Sequence, residues 1–94
     1  MTTPDDKFLM MPVKSSSDAK ALGSAIAHYI SEGTTVQLRA VGAGAVSQAV
    51  KAVAISTRWT APQGIRVAMI PGFKDIEGSS GGTISAITFS IILI

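Results

Sequence analysis

The segment from residue 36 to residue 55 constrains the fold of this chain more than any other. Val36, Leu38 and Ala40 alternate with polar residues, which predicts a strand. Glycines follow at once, and they allow a sharp turn and a close approach of another backbone or a phosphate to free N–H groups. A helix that is apolar on nearly all sides comes next. One side of it must be buried against a sheet, and the other against a further part of the protein or a protein partner. The helix reads Ala45-Val46-Ser47-Gln48-Ala49-Val50-Lys51-Ala52-Val53-Ala54-Ile55.

The segment before this junction predicts a strand and a first helix. Residues 8–13 form a short apolar run, and Pro12 places part of it at an edge or a bulge. The serines at 15–17 offer N-caps, with Asp18 in the first helical turn, and the helix ends at Gly33. Its buried face repeats at three- and four-residue spacing, through Ala19, Leu22, Ile26, Tyr29 and Ile30.

After the second helix the pattern predicts two more strands. The second helix presents a stripe of Val46, Ala49, Val50, Val53 and Ala54, and Trp59, Pro62 and Gly64 mark its stop. A strand follows over residues 65–70, Pro71-Gly72 breaks it, residues 78–82 form a flexible loop, and residues 83–94 form the last strand.

The element order therefore predicts an α/β fold, a two-layer sandwich of the order β-α-β-α-β-β. Two right-handed crossover units place both helices on one face of a mixed four-stranded sheet. At an open edge of the sheet, the uncharged run at residues 87–94 would pair with other chains and cause aggregation. We therefore expect the last strand to lie inside the sheet, with a neighbour on each side. Strand order 1-2-4-3, with an antiparallel fourth strand, meets that demand. We expect a flexible arm over residues 1–7 and one domain over residues 8–94.

Composition favours contacts between subunits over a strongly cationic surface. Only 15% of the residues are charged, against about 25% for an average soluble domain, while 47% are hydrophobic and the net charge is +2. The absence of cysteine excludes disulfides and thiolate metal sites. No run approaches the roughly 20 apolar residues needed to cross a bilayer, so we expect a cytoplasmic protein that does not enter the membrane.

Candidate catalytic or cofactor sites have weak support. Asp75 and Glu77 precede a flexible loop that would not hold them in productive geometry, so solvated loop charges explain them better. His28 has no second histidine with which to bind a metal, and the serines have no histidine partner in any known arrangement. Trp59 could stack on a base, but a core or subunit contact is the favoured interpretation. We therefore expect no enzyme activity, no metal and no cofactor.

Three stretches of the chain closely resemble the bacterial stage V sporulation protein S family. They are residues 42–55, Ala61-Pro62-Gln63-Gly64, and Ile70-Pro71-Gly72-Phe73-Lys74-Asp75-Ile76, and Val13-Lys14-Ser15-Ser16 adds to them. The resemblance implies an Alba-like fold of the element order above. It also implies a non-enzymatic regulatory role in sporulation or development, with nucleic-acid binding inferred mainly from the fold.

The chain departs from the families it resembles at two places. The family usually ends in a charged hairpin and strand, whereas this chain has Gly78-Ser79-Ser80-Gly81-Gly82 and Ile91-Ile92-Leu93-Ile94. The basic arginine-glycine-arginine junction of Alba chromatin proteins is Gly42-Ala43-Gly44 here, and the lysine of the first helical turn is Gln48. Most of the positive charge that would hold phosphate is therefore lost.

The resemblance singles out two cations and one backbone segment. Among the seven scattered cations that follow the expected arm, it places Lys14 and Lys51 on the surface that Alba proteins use. The free amides of Gly42, Ala43, Gly44 and Ala45 are a candidate anion site, although close packing explains the glycines more simply. The main hypothesis is an oligomer, most simply a homodimer through the second helix, that binds DNA or RNA weakly. The alternatives are a protein interaction module that binds no nucleic acid, and a binder of small ligands or nucleotides at residues 42–45.

Overall fold

The computed structural model of the chain describes residues 7–94. The expected arm at residues 1–7 lies outside the described residues except for Lys7, where the first strand begins. The elements are β1 (Lys7–Val13), α1 (Ala19–Ser31), β2 (Thr34–Ala40), α2 (Ala43–Thr60), a short 3-10 turn (Ala61–Gln63), β3 (Val67–Glu77) and β4 (Thr83–Leu93).

The four strands form one mixed sheet in the order β1-β2-β4-β3, which confirms the predicted topology. β1 lies parallel to β2, and β4 lies antiparallel to both β2 and β3. Residues 87–90 of the uncharged run therefore have a strand on each side, while Ile91, Ile92 and Leu93 pair with β3. The backbone of residues 87–90 thus presents no open edge of the sheet.

Alternation along the strands separates a covered face of the sheet from an open one. Val36, Leu38 and Ala40 of β2 are buried beneath the helices. The side chains between them, Gln37 and Arg39, point to the opposite face and are half-buried. Phe89 and Ile91 of β4 join the same core, and the buried sides of both helices complete it.

The start of α1 differs from the prediction, because Asp18 caps the helix itself. Its Oδ1 accepts hydrogen bonds from the backbone N–H groups of Lys20 at 2.9 Å and Ala21 at 3.3 Å. The serines were the wrong choice because Ser17 Oγ instead accepts from the N–H of Lys14, at 2.8 Å. The end agrees with the prediction, since Gly33 adopts a left-handed conformation with φ of 81°.

The buried face of α2 agrees with the predicted stripe at Ala49 and Val53 but not at Val50 and Ala54. Small side chains line it, while Val50 is 41% exposed and Ala54 points outward. The change follows from α1, which packs so closely that Gly23 lies against Ala52. The buried residues are Ala45, Ala49, Ala52, Val53, Ser56 and Thr60.

α2 ends at Thr60, within the predicted stop. Trp59 lies in its last turn and is 45% exposed, so it does not fill the core, and the subunit contact stays a prediction. The turn after the helix is made by Pro62, within the 3-10 segment, and by Gly64 with φ of 75°.

β3 does not break at Pro71-Gly72 but runs on to Glu77. Proline is tolerated there because β3 is an edge strand, where a missing N–H need not face a neighbour. Asp75 and Glu77 therefore lie on a strand rather than in a loop. The glycine-rich turn at residues 78–82 is where it was predicted, and it closes a long hairpin.

Candidate functional site

The turn between β1 and α1 carries the first candidate cation. Lys14 is exposed directly after the last residue of β1. Its carbonyl accepts a hydrogen bond from Ser17 N at 3.0 Å, and its N–H donates to Ser17 Oγ at 2.8 Å. These reciprocal bonds fix the turn from which the Lys14 side chain projects.

The start of α2 lies directly against this turn. A Cβ added to Gly44 would sit 2.9 Å from Ser15 Cβ, so glycine permits the close approach. Gly42 is the N-cap, with φ of 90° and no side-chain cap, and its carbonyl accepts from Val46 N at 3.0 Å. The sequence prediction that these glycines serve close packing fits the contact at Gly44.

The first amides of α2 keep the chemistry of a helix start. N–H groups in the first turn have no acceptor within their own helix, and no acidic side chain occupies that turn. Gly42, Ala43 and Gly44 are exposed, whereas the Ala45 side chain is buried in the core. An anion would therefore approach from the side of Ala43 and Gly44.

Gln48 joins the turn to the second candidate cation. Its Nε2 donates to the carbonyl oxygen of Ser17 at 2.6 Å, and its Oε1 accepts from Lys51 Nζ at 3.4 Å. Hydrogen bonds thus lead from Lys14 through Ser17 and Gln48 to Lys51. Both lysines are exposed, and the exposed start of α2 packs against the turn that carries Lys14.

Sequence reasoning did not assign Ser17 or Gln48 these roles. The spacing of Gln48 and Lys51, one helical turn apart, is a signal that could have paired them. The link to Ser17 uses a backbone carbonyl, which every residue has, so no pattern in the chain marks it.

The remaining cations do not join this surface. Lys20 is exposed in the first turn of α1, and Arg58 is exposed near the end of α2. Arg66 precedes β3 at the end of the sheet where Val67 pairs with Leu93. Lys74 lies on the hairpin opposite Ala86, and Arg39 lies on the open face of the sheet.

The other titratable side chains make local surface contacts. His28 Nε2 lies 3.5 Å from Glu32 Oε1 along the exposed side of α1. Asp75 Oδ1 accepts from Ser85 Oγ at 3.1 Å across the hairpin. Within residues 7–94 no three histidine, cysteine or acidic side chains come together as a metal site. None of the helices there is long and apolar enough to span a membrane.

The fold is shared with a solved structure of Alba from Thermoplasma volcanium. The two superpose with a TM-score of 0.60 over 88% of this chain and 98% of that chain, at 15% sequence identity. At this identity the likeness shows the fold alone, and it confirms the expected Alba-like architecture.

A family model covers nearly all of the described chain. The model of Stage V sporulation protein S (SpoVS) matches residues 9–94, from β1 to the last residue, and so includes both candidate lysines and the start of α2. The chain therefore belongs to the Stage V sporulation protein S family.

Proposed function

We propose that this protein is a small regulator that binds nucleic acid weakly, as a homo-oligomer. Family membership and the Alba-like fold support the coarser statement, a small regulatory protein related to sporulation, and both are generally non-enzymatic. The observation that carries the finer proposal is the set of hydrogen bonds between Lys14 and Lys51. Through Ser17 and Gln48 they connect the backbone of Lys14 to the Lys51 side chain, next to the exposed start of α2.

In the proposed complex both lysines contact phosphate groups. Neutralisation of phosphates supplies most of the non-specific affinity for nucleic acid. The amides of Ala43 and Gly44 add donors that suit a phosphate oxygen, because a helix start favours negative charge. These contacts carry no base information, so sequence preference should be slight.

Affinity should be low because the surface holds few cations. The chain has a net charge of +2, and position 48, between the two lysines, is an uncharged glutamine. The tip of the hairpin, at residues 78–82, has no charged residue that could reach a polyanion. If each subunit of a dimer contacts two phosphates, the total is about four.

Assembly into an oligomer would cover apolar side chains that the fold leaves exposed. On α2, Val50 and Ala54 lie on the outward side, and Trp59 is close to the end of the helix. Burial of a large apolar side chain contributes roughly 1.5 to 3 kcal/mol relative to exposure. The outer side of α2 is therefore our proposed contact in a homodimer.

A second candidate function is a protein interaction module without nucleic acid. Its support is the open face of the sheet, where Phe8 is 64% exposed and Ile70 is 53% exposed. Ile92 adds to this apolar face, and Phe73 on the hairpin is 81% exposed. Exposed apolar patches of this kind are typical of surfaces that contact other proteins.

Fluorescence anisotropy with labelled duplex DNA and single-stranded RNA separates the two candidates. Titrations run from low to physiological salt. If four phosphates are contacted, binding should be weak. A plot of the logarithm of the binding constant for duplex DNA against the logarithm of the salt concentration should then have a slope of about −3.6. If neither probe binds at low salt, the interaction module is the better explanation.

A further inference from the structure

A groove of about 560 Å³ opens on the side of the sheet that the helices leave uncovered. It lies at the end of β1, where Pro12 pairs with Arg39 of β2. Met10 and Val41 extend its apolar wall, and Ile76 of β3 also lines it. Its volume falls in the range of about 300 to 1,000 Å³ that small-molecule sites occupy.

Arg39 gives this groove a charged group among apolar ones. The guanidinium Nε is shielded from solvent and has no hydrogen-bond partner among residues 7–94. A shielded donor on a cation without a partner is unfavourable, and such groups are normally paired. The planar guanidinium also suits phosphate and carboxylate, which it can bind through two parallel hydrogen bonds.

The other polar groups of the groove have the same preference for an anion. Lys14 lines the groove beside Ser15 and Ser16, whose hydroxyls can donate hydrogen bonds. Within residues 7–94 no carboxylate lines the groove, and neither Lys14 nor Arg39 forms a salt bridge there. The groove thus combines two cations and two hydroxyls with five apolar residues.

We propose that this groove binds a small organic anion, one that carries a phosphate or carboxylate on a flat apolar body. The anionic group lies between Arg39 and Lys14, and it accepts hydrogen bonds from Ser15 and Ser16. The apolar body lies along Pro12 and Val41. The groove shares Lys14 with the surface proposed for nucleic acid, but its test uses small probes and does not depend on nucleic-acid binding.

The test is an NMR titration of the ¹⁵N-labelled full chain with phenyl phosphate and, separately, benzoate. Phenol and inorganic phosphate serve as partial probes, each with half of the required chemistry. We expect saturable shifts of the backbone signals of Val13, Ser15, Ser16 and Val41 and of the Arg39 Nε–H signal. Such shifts with one of the two complete probes are sufficient. Phenol and inorganic phosphate should bind at least about tenfold more weakly, since each lacks one set of contacts.

Two variants check that the groove itself binds the probe. Arg39→Gln should weaken binding about tenfold or more, because a charge-assisted hydrogen bond is lost. Val41→Glu puts a carboxylate on an exposed part of the wall and should repel the anion without disturbing the core. Arg66→Gln removes the same charge at the far end of the sheet and should leave binding unchanged, as should Lys51→Glu.

Three results would overturn the proposal. They are the absence of saturable shifts with both complete probes, shifts that map away from the groove, and equal binding by the parent and by both groove variants. Because Lys51 does not line the groove, loss of nucleic-acid binding in Lys51→Glu together with retained probe binding distinguishes this site from the proposed function.

Discussion

Gly23 of α1 lies so close to Ala52 of α2 that a Cβ added to the glycine would sit 2.8 Å from the Ala52 carbonyl oxygen. Ile55 approaches the same point, with its Cγ2 also 2.8 Å away. At this point α1 contributes no side chain to the contact, which permits the tight layer that covers the sheet. Glycine is required at this position by the neighbouring helix rather than by its own backbone conformation.

Gly23→Ala should therefore destabilise the protein. In an unobstructed helix the substitution usually stabilises by roughly 0.5 to 1 kcal/mol, because alanine loses less backbone entropy than glycine. Here overpacking opposes that gain at a cost of about 1 to 3 kcal/mol, so the net effect should be unfavourable. Thermal and urea denaturation measure it, with Ser24→Ala on the exposed side of α1 as the control. An unchanged or higher stability of Gly23→Ala would show that the helices separate easily.

Lys51→Glu should weaken binding to duplex DNA about equally for all sequences. In a dimer, two of about four phosphate contacts are lost, so the salt slope should flatten by about 1.8. Arg66→Glu makes the same change in net charge at the other end of the sheet, and anisotropy should show a much smaller effect. Equal losses in the two variants would mean that overall charge, not this surface, controls binding.

Gln48→Lys should strengthen nucleic-acid binding. Lysine at this position adds a cation between Lys14 and Lys51, and its ammonium group can still donate to the Ser17 carbonyl. With two further phosphates contacted in a dimer, the salt slope should steepen by about 1.8. Gln48→Met, which has a similar length and no charge, is the control in the same titration. No gain in affinity for Gln48→Lys would exclude the surface around position 48 from the interface.

Val50→Asp should dissociate the homodimer. Val50 lies on the outward side of α2, so a carboxylate there would have to be buried in an apolar contact. We expect the dimer dissociation constant, measured by analytical ultracentrifugation, to rise at least about tenfold. Ala21→Asp, exposed on α1, should leave assembly unchanged. A parent protein that is monomeric at micromolar concentration, or a Val50→Asp variant that stays dimeric, would contradict this contact.

Amides at residues 87–90 should exchange with solvent more slowly than those at residues 83–86. Residues 87–90 pair with β2 on one side and β3 on the other, whereas residues 83–86 pair with β3 alone. Opening the first group requires separation of the central sheet, which is the costlier event. Hydrogen exchange followed by NMR compares the two groups within one molecule, so no variant is needed. Similar rates would mean that the hairpin opens as one unit with the sheet.

The strand order was predictable because β4 has a distinctive composition. Its uncharged run had to lie between two strands, and only a few topologies allow this. The buried side of α2 was not predictable in the same way. A helix that is apolar on nearly every side has little periodic contrast, so the position of α1 against Gly23 and Ala52 decides which residues are buried.

Only part of the candidate site could be predicted from the sequence. Resemblance to the family pointed to Lys14 and Lys51, but the connection between them runs through the backbone carbonyl of Ser17. Likewise, the continuation of β3 past Pro71 depends on its place at the sheet edge, which is a property of the assembled sheet. In both cases the missing information lies in the tertiary structure, which the sequence pattern does not show.

The small side chains on the buried face of α2 make the whole molecule thin. Its shortest dimension is 18 Å, against a longest dimension of 44 Å. A thin plate exposes much of its area and buries a small share of its atoms, so its intrinsic stability is modest. Whatever binds to the folded form alone raises that stability in proportion to the logarithm of its concentration. A rise in the melting temperature of this protein would therefore report that a ligand or partner has bound to its folded form.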